Sequence, residues 1–286
     1  MKIIEIINGE KPSLSFEVFP PKTHDKYDSV SLAIKEIALL NPSYMSVTYG
    51  AGGGTSEYTA KIAQEVFSLG VTSLAHLTCI SSTKELVREQ LVNLKSLGIE
   101  NILALRGDIP EEVNINNCDF HYSYELIDEI KKHGDFCIGG ACYPECHPES
   151  ESVEKDIEYL KIKIAHGCNF LTTQMFFDNN VLYRFADRLK KENVNVPIVA
   201  GIMPITSPLQ FKKIVKLSGN ALPKSFLNEV LRFENNPDSF KAAGIEFATK
   251  QARELYGNGF NAVHIYSMNK PEVAKAIQNN LLDVIK

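Results

Sequence analysis

Eight short apolar runs recur along the chain: Leu14–Phe19, Met45–Tyr49, Ser73–Cys79, Ile102–Arg106, Ile138–Tyr143, Phe170–Phe176, Ile198–Met203 and Ala262–Met268. Their lengths and apolar content suit buried strands. Between them, apolar residues return every three or four positions. Val30, Ile34, Ile37 and Leu40 do so, as do Ile62, Val66 and Leu69, then Leu86, Leu91, Leu94 and Leu97, and later Val153, Ile157, Leu160 and Ile164. That period gives a helix one buried face. Gly70, Gly98, Gly134 and Gly167 each precede the next run, where a left-handed C′ residue closes a helix. Strand and helix alternate, and no shift of composition marks a domain boundary, so residues 1–286 read as one domain.

The runs share a second pattern. Their ends present Glu17, Thr48 with Tyr49, His76, Arg106 with Asp108, Tyr143, Gln174, and Tyr266 leading to Lys270. A strand buried on both faces has no packing use for such residues, whereas a (β/α)8 TIM barrel gathers its chemistry at the C-terminal strand ends. The α/β pattern therefore predicts that barrel. Between the strands around Val199 and Val263 lie three helix-like segments, Pro208–Leu217, Ser225–Glu234 and Pro237–Tyr256. They predict an extra helical insertion between strands seven and eight, placed as a wall for substrate. A doubly wound sheet is the rival, supported by the turn Gly50-Ala51-Gly52-Gly53-Gly54-Thr55. That turn lacks the final glycine and the later acid of a dinucleotide fingerprint.

A formal net charge of −5 without a block of like charges excludes nucleic acid as the main partner, because phosphate neutralisation needs a basic face. Glu5 interrupts the apolar start, and no apolar run approaches the roughly 18 residues of a membrane span, so a cytoplasmic protein with no membrane partner is expected. Six cysteines then read as reduced thiols. Cys142 and Cys146 with His147 lack the paired spacing of zinc or iron–sulfur ligands, so no metal is expected.

Within Phe16-Glu17-Val18-Phe19-Pro20-Pro21-Lys22, a carboxylate sits in an apolar strand. Burial favours its neutral form, which suits a general acid, and a structural ion pair is the equal alternative. Arg106-Gly107-Asp108 either neutralises itself or, with Glu17, supplies two acids in different surroundings. Gln174 offers an amide that pairs with a heterocycle. No G-x-S-x-G motif occurs.

Taken in order, Phe16-Glu17-Val18-Phe19-Pro20-Pro21-Lys22, Ser46-Val47-Thr48-Tyr49-Gly50-Ala51-Gly52-Gly53, Ala75-His76-Leu77-Thr78-Cys79, Leu105-Arg106-Gly107-Asp108, Tyr143-Pro144-Glu145-Cys146-His147-Pro148, Thr173-Gln174-Met175-Phe176-Phe177-Asp178 and Gly201-Ile202-Met203-Pro204 resemble the methylenetetrahydrofolate reductases. The resemblance covers nearly the whole chain. It implies a (β/α)8 barrel with non-covalent FAD that is reduced by NADH or NADPH. In ping-pong order, hydride then passes to 5,10-methylenetetrahydrofolate, giving 5-methyltetrahydrofolate. It implies that Glu17 protonates the folate N10 and that Asp108 holds the pterin and tunes the flavin. Thr48, Tyr49, Ala51, His76, Arg106, Gly107, Asp108, Tyr122, Ser123, Tyr143, His147, Asp156 and Lys163 match cofactor-binding positions. Glu17, Asp108, Gln174, Gln210 and Lys270 match positions that meet folate or nicotinamide.

The chain departs from that pattern at Tyr159 and Ile162, where related chains often carry Asn and Arg, at Ile214 in place of a stacking Phe, and at Lys270 in place of Arg. Two further readings keep part of this picture: the same flavin barrel reduced by an electron-transfer partner subunit, and a flavin-free folate-binding barrel. A homo-oligomer is compatible with all three.

Overall fold

Eight parallel strands pair in chain order, and the last closes against the first, in a computed structural model that describes every residue except 22, 50–55, 110–113, 115–117 and 219–221. The strands are β1 (Ser13–Val18), β2 (Met45–Val47), β3 (Ser73–Thr78), β4 (Asn101–Leu105), β5 (Cys137–Cys142), β6 (Phe170–Thr173), β7 (Ile198–Ile202) and β8 (Ala262–Ile265). Register decides which side chains face inward. Glu17 lies opposite Ser46, Ser15 opposite His264, His76 opposite Leu103, and Gly139 opposite Phe170. Alternate residues such as Phe16, Val47, Ala75 and Ile102 point outward into the main core beneath the helices.

The helices are α1 (Ile3–Ile7), α2 (Tyr27–Ala38), α3 (Ser56–Ser68), α4 (Lys84–Ser96), α5 (Ser123–His133), α6 (Val153–Ala165), α7 (Asn179–Lys191), α8 (Pro208–Ser218), α9 (Lys224–Glu229), α10 (Pro237–Gly257), α11 (Pro271–Asn280) and α12 (Leu282–Ile285). At the N-terminal strand ends, Ile3 and Ile7 of α1 join Leu74, Leu103, Cys137, Phe170, Val199 and Ala262 in one apolar cluster. The Ile3 amide donates to Asn101 Oδ1 at 2.8 Å, which anchors that helix to the start of β4. The Phe170 ring fills the space where a β-carbon on Gly139 would stand, 2.5 Å from its Cζ. One end of the barrel is thus packed shut, leaving the other for chemistry.

Between β7 and β8 the chain forms α8, α9, a 3-10 turn at Leu231–Phe233, and α10. Ile214, Phe226, Val230 and Phe240 from this stretch form a separate cluster with Phe177 and Ile205, which follow β6 and β7. It therefore stands at the C-terminal mouth. Among the described residues no helix is long and apolar enough to cross a membrane.

Three sequence expectations need correction. The strands stop before the apolar runs do: Thr48 and Tyr49, Arg106, Tyr143 and Gln174 follow β2, β4, β5 and β6 rather than ending them. The backbone pairing still runs one residue further at three of them, since the Thr48 and Gln174 amides donate to the Val18 and Cys142 carbonyls and the Arg106 carbonyl accepts from Ile80. Gly70, Gly98 and Gly167 are left-handed, at φ 82°, 77° and 120°, but Gly134 at φ 167° is extended. The buried stripe of α4 runs through Val87, Leu91 and Leu94, whereas Leu86 is 41% exposed.

Candidate functional site

The inner wall of the mouth is polar. Glu17, near the end of β1, is buried, and burial raises its carboxyl to about 8, so it is protonated at neutral pH. His76 Nε2 lies 3.8 Å from Glu17 Oε2, beyond hydrogen-bond distance. Burial lowers His76 to about 3, so two neutral groups face each other rather than an ion pair. Ser267 Oγ donates to the Glu17 carbonyl at 2.7 Å, fixing the strand that carries the acid.

One layer deeper, His264 Nδ1 is 2.7 Å from Ser15 Oγ and its Nε2 is 2.9 Å from Ser46 Oγ. The ring stacks on Tyr44 at 5.6 Å, and burial, helped by His76, lowers it to about 3. Tyr266 stands edge-on to His264 at 5.5 Å, and its hydroxyl donates to the Thr173 carbonyl at 2.5 Å. A β-carbon at Gly201 would collide with that hydroxyl and that carbonyl, so only glycine admits the tyrosine.

A charged flank follows β4, β5 and β6. The Arg106 guanidinium grips Glu149 with two bonds, of 2.6 and 2.7 Å. Gly107 is left-handed at φ 88° and turns the chain away. Asp108 is exposed, and its charge helps burial push the Tyr143 phenol up. The Tyr143 ring packs edge-on against His147 at 4.5 Å, and the Gln174 side chain reaches its hydroxyl. Asp156 accepts the His147 amide at 3.0 Å, while burial raises Asp156 and lowers the His147 ring. Burial also lowers Lys163, whose ammonium donates to the Ala141 carbonyl at 2.7 Å. Cys79 Sγ lies 3.8 Å from the Arg106 carbonyl and 3.7 Å from the Tyr122 carbonyl, tying the start of α5, with Ser123, to the end of β4.

On a third side, Thr48 accepts from Thr59 Oγ1 at 3.0 Å, and the Gln90 amide donates to the Tyr49 hydroxyl at 2.9 Å. Tyr49, His76, Gln90 and Leu86 help line a cavity of about 250 Å³. Most of its lining comes from α3 and α4, through Thr59, Ala60, Glu89, Asn93 and Leu94. Opposite, Lys270 Nζ donates to Thr206 Oγ1 at 2.7 Å, and Thr206 donates to Gln210 Oε1 at 3.1 Å. Burial lowers Lys270 as well.

The structure thus joins Glu17 with His76, Arg106 with Asp108, Tyr143, His147, Asp156, Lys163 and Gln174, and Gln210 with Lys270. Ala51, the rest of the glycine-rich turn, Lys22 and Pro110 lie outside the described residues. The sequence reading missed the His264 layer. Its signal was the alternation of Ser13, Ser15 and Glu17 along an otherwise apolar strand, which marks a polar inner face. All six cysteines are free thiols, and among the described residues no group of three or more His, Cys, Asp or Glu is placed to hold a metal.

Comparison with known proteins gives a consistent result. The sequence model of the methylenetetrahydrofolate reductase family matches residues 2–282. The 5,10-methylenetetrahydrofolate reductase of Pectobacterium carotovorum subsp. carotovorum is 34% identical over 270 residues, covering 94% of this chain and 90% of that one. The enzyme of the same name from Buchnera aphidicola subsp. Schizaphis graminum (strain Sg) is 34% identical over 277 residues, covering 96% and 94%. Methylenetetrahydrofolate reductase (NADH) 1 of Arabidopsis thaliana is 32% identical over 296 residues, which span 98% of this chain but 50% of the plant protein. Among solved structures, an uncharacterized protein from Clostridium thermocellum that binds two copies of 5-methyl-5,6,7,8-tetrahydrofolic acid superposes at a TM-score of 0.69. It covers 99% of this chain at 15% identity, a likeness of fold.

Proposed function

The chain belongs to the methylenetetrahydrofolate reductase family, and from that premise we propose that it reduces 5,10-methylenetetrahydrofolate to 5-methyltetrahydrofolate using NADH or NADPH and non-covalent FAD. The residues of the mouth fit such a cofactor. Arg106 and Lys163 both bear electrostatically on the His147 ring, which gathers positive charge for a diphosphate in an acidic protein. Tyr49, Tyr122 and Tyr143 supply flat apolar faces, with Thr48, His76, Gly107, Ser123 and Asp156 beside them. Thr172 Oγ1, buried on the inner wall of β6, has no hydrogen-bond partner among the described residues, and a polar ring edge would satisfy it. These residues would hold FAD, which when bound would supply the electron chemistry of hydride transfer between nicotinamide and folate.

The chain's own contribution to folate reduction is a proton and a position. Glu17, held neutral by burial, donates to N10 as the five-membered ring opens. Ser267 fixes the backbone that carries it, and the neutral His76 ring stands beside the carboxyl. Asp108 and Gln174 orient the pterin from the charged flank, and the Lys270–Thr206–Gln210 chain holds folate or nicotinamide from the opposite wall. An anionic cofactor competes with Glu149 for Arg106.

The observation that carries this reading is a buried, protonated Glu17 at the mouth of a barrel whose family reduces methylenetetrahydrofolate. Purified protein should show a flavin absorbance band that NADH or NADPH bleaches anaerobically and methylenetetrahydrofolate restores. A flavin that neither nucleotide bleaches would favour reduction through a partner subunit, and a colourless protein that binds folate would favour the flavin-free barrel.

A further inference from the structure

The ladder between β1 and β8 stops where Phe16 faces Ile265, one residue short of Glu17. Beyond that point the Val18 carbonyl still accepts from Thr48 on the β2 side, which leaves the Glu17 carbonyl and both backbone groups of Phe19 to the β8 side. Pro20 and Pro21 come next and have no N–H to donate, so Phe19 carries the last backbone amide that can anchor this end of β1 before them. Side chains take over from the strand. Ser267 Oγ donates to the Glu17 carbonyl at 2.7 Å. Asn269 Oδ1 accepts from the Phe19 amide at 2.8 Å, and its Nδ2 donates to the Phe19 carbonyl at 2.9 Å. One side-chain amide thus copies the pair of bonds that a parallel neighbour would make.

Position 269 meets two demands at once. Met268 and Asn269 are both left-handed, at φ 56° and 53°, two consecutive residues other than glycine at the mouth. Asparagine accepts that conformation more readily than most residues. Glycine would accept it too but lose both bonds, and aspartate would keep the acceptor without the donor. The strained turn therefore persists where its amide reaches β1, two residues beyond Glu17. We propose that Asn269 is a positioning residue, which clamps Phe19, fixes the end of β1 and so aims the Glu17 carboxyl at the folate. This inference rests on the reading of Glu17 as the acid, and the effect of Asn269 on folate reduction runs through Glu17.

The test couples the two residues. Asn269→Gly keeps the left-handed backbone and removes both bonds, and it should slow the folate half-reaction on the order of 10²-fold, the scale of misplacing a reacting group by about 1 Å. Reduction by NADH or NADPH should be unchanged. In the Glu17→Gln background the same substitution should alter the folate half-reaction by less than about twofold, because the group it aims is already gone. Infrared titration of the Glu17 carboxyl in apoprotein, identified by its absence from Glu17→Gln, gives a readout without cofactor. The neutral His76 ring and the Tyr266 phenol face this carboxyl, and burial alone sets its titration. Its midpoint should lie at about 8 in the parent and nearer the ordinary 4.5 in Asn269→Gly, where water reaches it. Equal slowing of both half-reactions, undiminished slowing in the Glu17→Gln background, or an unmoved midpoint overturns the inference. Should Asn269→Gly fail to fold, Ser267→Ala, which loses the single bond to the Glu17 carbonyl, carries the same measurements. A parent protein that takes up no flavin refutes the proposed function instead, and the carboxyl titration then decides the clamp.

Discussion

His264 shows how one side chain depends on residues far away in the chain. Both ring nitrogens are engaged, one by Ser15 of β1 and one by Ser46 of β2, and the ring has no access to water. Removing either hydroxyl leaves a buried polar atom without a partner, at a cost of about 1–3 kcal/mol. Ser46→Ala should therefore lower the urea midpoint by that amount of stability with an unchanged slope. A loss below about 0.5 kcal/mol would mean that the layer is not tightly packed. The buried Glu17 carboxyl was legible in the sequence because a carboxylate inside an apolar strand demands an explanation, whether an ion pair or an acid. His264 was not, since a lone histidine in an apolar strand reveals nothing until the register brings two serines to it.

Among the elements, α10 is held against the mouth by an absence. A β-carbon on Gly244 would run into the carbonyl of Ile205, in the segment between β7 and α8, and neither backbone can yield easily. Gly244→Ala should therefore cost about 3 kcal/mol or more and weaken the Gln210 and Lys270 wall, which the same segment supports through Thr206. Gly257 at the end of the same helix is the control: nothing lies within 4 Å of a β-carbon there. Gly257→Ala should be neutral or stabilise by about 0.5–1 kcal/mol. Equal effects would contradict the close approach. The eight strands were legible because the apolar runs are so regular. Their ends were not, because Tyr49 and Tyr143 suit a strand by propensity and leave the ladder only through the geometry of the mouth. Helix α1 was hidden by Glu5, which masks the four-residue spacing of Ile3 and Ile7 that plugs the barrel.

At the scale of the whole molecule, three buried groups set the pH dependence of stability. Glu17 holds its proton to about 8 in the fold against an ordinary 4.5, so the folded chain binds the extra proton between these values and stability falls as pH rises through that window. His76 and His264 titrate at about 3 in the fold against 6.5, so the unfolded chain binds the extra protons and stability climbs from about 3 to 6.5. Two gains against one loss still rise to about 6.5, after which the Glu17 loss is unopposed. Denaturant titrations should place the maximum near pH 6.5, and Glu17→Gln should remove the decline towards pH 8. Stability that keeps rising to pH 8 in the parent would contradict this. The barrel and its polar mouth were visible from sequence as a pattern, but the neutrality of these groups follows from how completely the closed barrel excludes water.

Those buried protons matter because one of them is assigned to chemistry, and the two half-reactions separate that role from a structural one. Transfer of hydride from nicotinamide to the cofactor needs no acid at N10, whereas opening the folate ring does. Glutamine keeps the size of Glu17 and cannot deliver a proton. In anaerobic stopped-flow experiments, Glu17→Gln should slow the folate half-reaction on the order of 10²–10⁴-fold and leave reduction by NADH or NADPH within about tenfold of the parent. Equal loss in both half-reactions, or no loss in either, would contradict the assignment of Glu17 as the acid of this site.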